Sequence, residues 1–114
     1  MTNNLIDIER KYKKAKQRFQ ENTMIDVTLF RSDIDKVVLD DVMQGGESTD
    51  VSELINRFIQ NYTSTFVVAV RSRLTEKNFD YIGLDKDVID IGTYFATQCL
   101  RDALFNKKLP RIKR

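Results

Sequence analysis

The sequence contains no histidine and no tryptophan, and it has only one cysteine and one proline. Without histidine, the chain lacks the commonest general base and metal ligand of proteins. The single Cys99 cannot form an internal disulfide, which is typical of proteins in a reducing cytoplasm. No apolar run approaches the roughly 20 residues of a transmembrane helix, and the first residues lack the pattern of a secretory signal. We therefore expect a cytoplasmic protein that makes no contact with a membrane.

The sequence also offers few groups for catalysis or for cofactor binding. Cys99 has no histidine partner that could activate it, and Gly45-Gly46 lacks the Lys-Ser/Thr of a phosphate-binding loop. Four aspartates spread over two faces of a predicted helix, which indicates a solvated surface rather than a metal site: Asp33, Asp35, Asp40 and Asp41. We predict that the protein is not an enzyme and that it uses no metal and no cofactor.

Charge is distributed unevenly along the chain. Residues 1–18 carry a net charge of +4 and residues 107–114 carry +5, whereas residues 19–106 carry −7. Basic ends on an acidic body favour an anionic partner, most often nucleic acid. The alternative is that these ends serve only to keep the protein in solution.

The hydrophobic pattern predicts a mainly helical chain with one strand. Ile25, Val27 and Leu29 alternate with polar residues, as in a strand with one buried face. Apolar residues at helical spacing predict helices over residues 3–20, 33–44, 51–76 and 86–107. Within the third of these, β-branched residues at 66–70 leave a buried strand as the alternative. A single strand cannot form a sheet alone, so we expect it to pair with the same strand of a second copy.

This order of strand, helix, Gly45-Gly46 turn and second helix resembles the ribbon–helix–helix family of DNA-binding proteins over residues 24–62. The resemblance implies a mainly α fold: a ribbon–helix–helix dimer with one strand per chain, an N-terminal helix and a C-terminal helical extension. The implied domains are a basic N-terminal helix at 1–22, the ribbon–helix–helix domain at 23–62, a helical oligomerisation extension at 63–106 and a basic tail at 107–114.

The resemblance also implies which residues touch DNA. The outward face of the ribbon would place Met24, Asp26 and Thr28 against base edges in the major groove. The start of the second helix would hold a phosphate, and basic residues elsewhere would hold others. The implied phosphate contacts are Arg31, Ser48, Thr49, Lys11, Lys13, Lys14 and Arg18. Asp26 stands where family members generally have a basic or amide side chain, and its charge would lower non-specific affinity.

Three functions are consistent with the sequence. The first is a sequence-specific transcriptional regulator that binds double-stranded DNA as a homodimer or a higher oligomer. The second is a plasmid or phage accessory DNA-binding protein for segregation or DNA transfer, which recruits a protein partner through its C-terminal helices. The third is a helical protein–protein interaction module that does not bind DNA, a function that the acidic body favours.

Overall fold

A computed structural model describes residues 2–44, 51–77 and 83–105, and in this part of the chain it contains four α-helices and one short 3₁₀ helix. Helix α4 lies between α1 and α3, and α3 also contacts α2 and the 3₁₀ helix. The elements are α1 (Thr2–Thr23), the 3₁₀ helix (Val27–Phe30), α2 (Arg31–Gln44), α3 (Val51–Glu76) and α4 (Asp85–Phe105).

Helix α3 is continuous, and it buries one stripe of large side chains. The stripe follows helical spacing because residues three and four positions apart share a helix face: Leu54, Phe58, Tyr62, Phe66, Val70 and Leu74. Residues 66–70 are therefore helical, and the strand alternative is wrong. The boundary predicted between residues 62 and 63 falls inside this helix. None of the described helices combines the length and the hydrophobicity that a membrane-spanning segment requires.

A row of aromatic rings joins the elements through the core. Tyr12 of α1 stacks on Tyr94 of α4 with ring centroids 4.0 Å apart. Phe95 then meets Phe66 of α3 edge-to-face at 5.5 Å, and Phe66 meets Phe30 of the 3₁₀ helix in the same way at 6.1 Å. Such pairs contribute about 0.5–1.5 kcal/mol each beyond their burial. The row ties the 3₁₀ helix to the same core as the long helices.

An ion pair fixes α1 on α4. Arg18 Nη2 lies 2.7 Å from Asp87 Oδ1, and Arg18 Nε lies 3.2 Å from both carboxylate oxygens. The Asp87 side chain is only 8% exposed. Its hydrogen bond and its charge raise the pKa of Arg18. The guanidinium predicted to contact phosphate is thus paired with a carboxylate of the protein, although its side chain remains 55% exposed.

The strand predicted over Met24–Phe30 is wrong, and with it the ribbon–helix–helix fold. No strand occurs among the residues that the structure describes, and Val27–Phe30 form a 3₁₀ helix that runs directly into α2. Asp26 Oδ1 accepts hydrogen bonds from the Thr28 backbone N–H at 3.0 Å and the Thr28 hydroxyl at 2.6 Å. This local bonding curls the backbone and competes with an extended ladder. Ile25 and Val27 are buried as predicted, but Leu29 is 75% exposed.

Candidate docking cleft

A cleft of 480 Å³ opens where the connection between α1 and α2 passes the end of α3. Residues 24–30 and the first turns of α2 form one wall, and the C-terminal end of α3 forms the other. The lining is mixed, with apolar side chains between acidic and basic ones: Met24, Ile25, Asp26, Leu29, Phe30, Asp33, Ile34, Arg73 and Lys77. We call this feature the α2–α3 cleft.

Met24 begins the first wall in a strained backbone conformation. Its φ angle is 59°, and its N–H donates to the Gln20 carbonyl at 2.8 Å, which closes the C-terminus of α1. Glycine or asparagine usually occupies this left-handed position because other residues suffer a clash of Cβ, at a cost of about 1 kcal/mol. The Thr23 hydroxyl supports the turn by donating to the Phe19 carbonyl and accepting from the Ile25 N–H. The Met24 side chain is nevertheless 84% exposed.

The apolar residues of the cleft divide into a buried floor and an exposed rim. Ile25 and Ile34 are buried in the main core, and Phe30 packs against that core. Met24 and Leu29, in contrast, project into solvent from the same wall. Exposed apolar side chains above an apolar floor are typical of a binding groove, whereas a closed core would bury them.

The charged residues of the cleft are segregated by sign. Asp26 and Asp33 lie on the wall formed by residues 24–34, whereas Arg73 and Lys77 lie on the α3 wall. Hydrogen bonds from Thr28 lower the pKa of Asp26, so this carboxylate stays charged at neutral pH. Within the described residues, no ion pair bridges the two walls; Arg73 instead pairs with Glu76 of its own helix at 3.3 Å. The cleft therefore presents a negative edge and a positive edge.

Arg31 anchors the wall behind the cleft to the rest of the protein. Its guanidinium lies 3.7 Å from Asp35 of α2, 3.7 Å from Asp102 of α4, and 5.5 Å above the Phe95 ring. The Tyr62 hydroxyl of α3 donates to the same Asp35 carboxylate. The start of α2 is thus held by polar contacts to α3 and α4.

Two titratable groups beside this anchor are held neutral by burial. Burial and the neighbouring Asp35 carboxylate raise the pKa of the Tyr62 hydroxyl. Burial, followed by the charge of Asp35, raises the pKa of the Cys99 thiol to about 12. A thiol of this kind is a poor nucleophile because the reactive form is the thiolate. Cys99 therefore acts as a core residue.

The described residues predicted to contact DNA are distributed over α1, the cleft and the Arg31 anchor. Met24 and Asp26 lie at the cleft and Thr28 completes the Asp26 turn, while Arg31 is held in the anchor described above. Lys11, Lys13 and Lys14 are exposed on α1, and Lys13 lies 3.4 Å from Glu9. Ser48, Thr49, the Gly45-Gly46 turn and the tail at 107–114 lie outside the described residues.

Sequence reasoning missed the basic wall and the exposed rim of the cleft. Arg73 and Lys77 lie four residues apart at the C-terminal end of α3. Residues at this spacing share a helix face, and charged residues there are typical of a solvated helix surface. Leu29 was predicted to face the core because it continued the alternation of Ile25 and Val27. The available signal was Asp26 two residues before Thr28, since an aspartate commonly caps a turn by accepting from the backbone N–H two positions on.

Comparison with family models, curated proteins and solved structures finds no match to this chain. Within the described residues, no group of three or more acidic or cysteine side chains is arranged to hold a metal ion. The geometry of the α2–α3 cleft is therefore the main guide to what the protein does.

Proposed function

We propose that this chain is a helical protein–protein interaction module and that the α2–α3 cleft is its docking surface. The observation that carries the proposal is the pairing of strain with exposure at Met24. The left-handed turn closes α1, but the apolar side chain that it presents to water adds nothing to folding. Such outliers concentrate at ligand clamps and binding sites, where the presented side chain has a use.

The other exposed apolar side chains do not form a comparable surface. Ile6, Val37, Val68 and Ile89 are distributed over all four helices, and single exposed apolar residues are normal on a protein surface. Met24 and Leu29, in contrast, share one cleft with an apolar floor and charged edges. An apolar patch bordered by charged residues is characteristic of protein interfaces.

Site-specific photo-crosslinking in cells tests this proposal. A photoreactive residue replaces Leu29 at the cleft rim, and in a matched control it replaces Ile89, which is exposed on α4 outside the cleft. We expect one discrete protein adduct from position 29 and none from position 89. Equal labelling from both positions, or no discrete adduct from position 29, would contradict a docking role for the cleft.

DNA binding through α1 is the second candidate function. Lys11 and Lys14 are exposed on this helix, and neither forms an ion pair with any of the described carboxylates. Free lysines on one helix can neutralise phosphates without reading sequence. This would suit a transcriptional regulator or a plasmid or phage accessory protein whose specificity comes from another component.

A salt titration separates this second function from the first. Replacing both Lys11 and Lys14 with alanine should weaken binding to a random-sequence duplex and reduce the slope of log affinity against log salt by about 2. A control pair, Lys36→Ala and Lys86→Ala, removes the same charge from α2 and α4. Equal losses from both pairs would show only a general charge effect and would argue against a DNA site on α1.

A further inference from the structure

We infer that the occupant of the α2–α3 cleft is the same cleft of a second copy of this chain, so that the protein forms a two-fold symmetric dimer. This inference rests on the docking role proposed above and adds the identity of the partner. Its basis is the charge on the two edges of the cleft, because the negative edge of one copy can pair with the positive edge of a second copy.

The two edges of the cleft carry opposite charge on separate elements. Asp26 and Asp33 form the negative edge beside the 3₁₀ helix. At the end of α3, Arg73 is paired with Glu76, and Lys77 supplies the net charge of the positive edge. A partner must therefore present a positive edge and a negative edge at the same spacing, on either side of an apolar strip. The chain itself carries such a surface.

A two-fold axis running along the cleft brings these edges together correctly. Rotation by a half turn places the negative edge of one copy over the positive edge of the other, and the same contact recurs on the opposite side. This is the property of an isologous interface, in which contact i to j is always accompanied by j to i. Each charge contact is thus made twice.

The apolar residues fit the same arrangement. Met24 and Leu29 stand at the rim, while Phe30 and Ile34 line the floor. In the dimer, the rim side chains of each copy lie beside the α3 edge of the other, where they cover the opening of its apolar floor and leave water. Methionine suits such a contact because its unbranched chain adapts to irregular surfaces. The strained turn at Met24 positions the side chain that enters the partner.

The solution mass of the full-length chain gives the first test. Sedimentation equilibrium from about 1 μM to about 1 mM spans the affinities expected of a weak to moderate dimer. We expect the mass to rise from that of one chain to that of two. A mass of one chain throughout this range would overturn the inference.

Charge exchange between two variants gives the sharper test. In its own homodimer, Asp33→Lys places a lysine opposite Lys77 of the other copy, and Lys77→Asp places an aspartate opposite Asp33 of the other copy. Each variant alone should dimerise about tenfold more weakly than the wild type, since the unfavourable contact occurs twice. In an equimolar mixture, both contacts of the mixed dimer become attractive, and association should return to near the wild-type level.

This restoration cannot come from damage to folding, because a misfolded variant stays misfolded in a mixture. A control mixture joins Lys36→Asp with Asp41→Lys, a pair of the same charges on exposed positions of α2 outside the cleft, and it should behave as the wild type throughout. No restoration in the Asp33→Lys and Lys77→Asp mixture would overturn the self-complementary cleft.

The crosslinking experiment distinguishes failure of this inference from failure of the docking role. If position 29 labels a protein other than this chain while the purified chain stays monomeric, the docking role stands and the second copy is wrong as the occupant. If position 29 labels nothing, both the docking role and this inference are wrong.

Discussion

Helix α3 and the segment from Met24 to Ile34 use their apolar residues in opposite ways. The stripe from Phe58 to Leu74 in α3 is wholly buried. The Met24–Ile34 segment is shorter, yet it leaves Met24 and Leu29 largely in water. It also contains the one non-glycine residue with positive φ in the described part of the chain. The contrast teaches that apolar content alone does not separate residues that fold the protein from residues that face a partner.

The largest expected effect comes from the α3 stripe. Phe66 is fully buried and meets the rings of Phe30 and Phe95. Its Cβ and Cδ2 also lie 3.5 and 3.0 Å from where a Cβ on Gly92 would stand, so α3 and α4 approach closely here. Phe66→Ala should lower the free energy of unfolding by about 3–5 kcal/mol, because it removes ring contacts and leaves a cavity. Urea denaturation measures the loss, and a change below about 1 kcal/mol would show that this region is not the core.

Alkaline pH should also lower the free energy of unfolding, but by less than Phe66→Ala does. The folded pKa of Cys99 is about 12, above the value near 8.5 expected in the unfolded chain. Stability is therefore fully present below about pH 8 and is lost progressively as the pH rises toward 12. From pH 8 to pH 10 we expect a loss of about 1–2 kcal/mol, after allowing for solvent screening. Denaturation curves at several pH values measure it.

Cys99→Ala is the control for that pH series. This substitution removes the thiol and should flatten the dependence of stability on pH between 8 and 10, even though it lowers stability at every pH through lost packing. Tyr62 also has a raised pKa and would contribute above about pH 10. An unchanged slope in the variant would contradict a buried, neutral thiol.

The turn at Met24 should respond in the opposite direction. Met24→Gly relieves the left-handed strain and should raise the free energy of unfolding by about 1 kcal/mol. Met24→Ala removes the same exposed side chain but keeps Cβ, so it should give no such gain. If the two variants have equal stability, the strain at this position is unimportant. Both should weaken self-association, since both lose the rim side chain.

The smallest expected effect on stability is at Leu29. Leu29→Ala should change the free energy of unfolding by less than about 0.5 kcal/mol, because the side chain is already in water. Ile34→Ala, from the buried floor of the same cleft, should cost about 2–5 kcal/mol. Thermal denaturation of these two variants tests whether Ile34 belongs to the buried floor and Leu29 to the exposed rim. A loss at Leu29 comparable with that at Ile34 would place Leu29 in the core.

The long helices could be predicted from the sequence because their apolar residues repeat over many turns. The helix predicted over residues 86–107 corresponds to α4, which buries apolar residues at helical spacing: Val88, Ile91, Phe95, Cys99 and Ala103. A repeat of this length is hard to satisfy with any other backbone. The same reasoning correctly assigned residues 66–70 to α3, because their spacing stays in phase with Phe58 and Tyr62.

The cleft could not be predicted, because its structure depends on one local turn and on one tertiary relation between helices. Three alternating apolar residues fit a strand, but they also fit the bend that Asp26 makes when it accepts two hydrogen bonds from Thr28. Which one forms depends on whether a partner strand is available to complete a ladder. The opposition of Asp33 and Lys77 depends on where α3 ends relative to α2, a tertiary relation that spacing along the chain does not reveal.

Hydroxyl-radical footprinting of the full-length chain at two concentrations tests the central claim most directly. In dilute solution, Met24 should oxidise rapidly because its side chain is 84% exposed. In concentrated solution we expect Met24 and Leu29 to become protected, while the peptide that contains Ile89 keeps its rate. Equal rates at the two concentrations, or equal protection of Ile89, would contradict a cleft that a second copy covers.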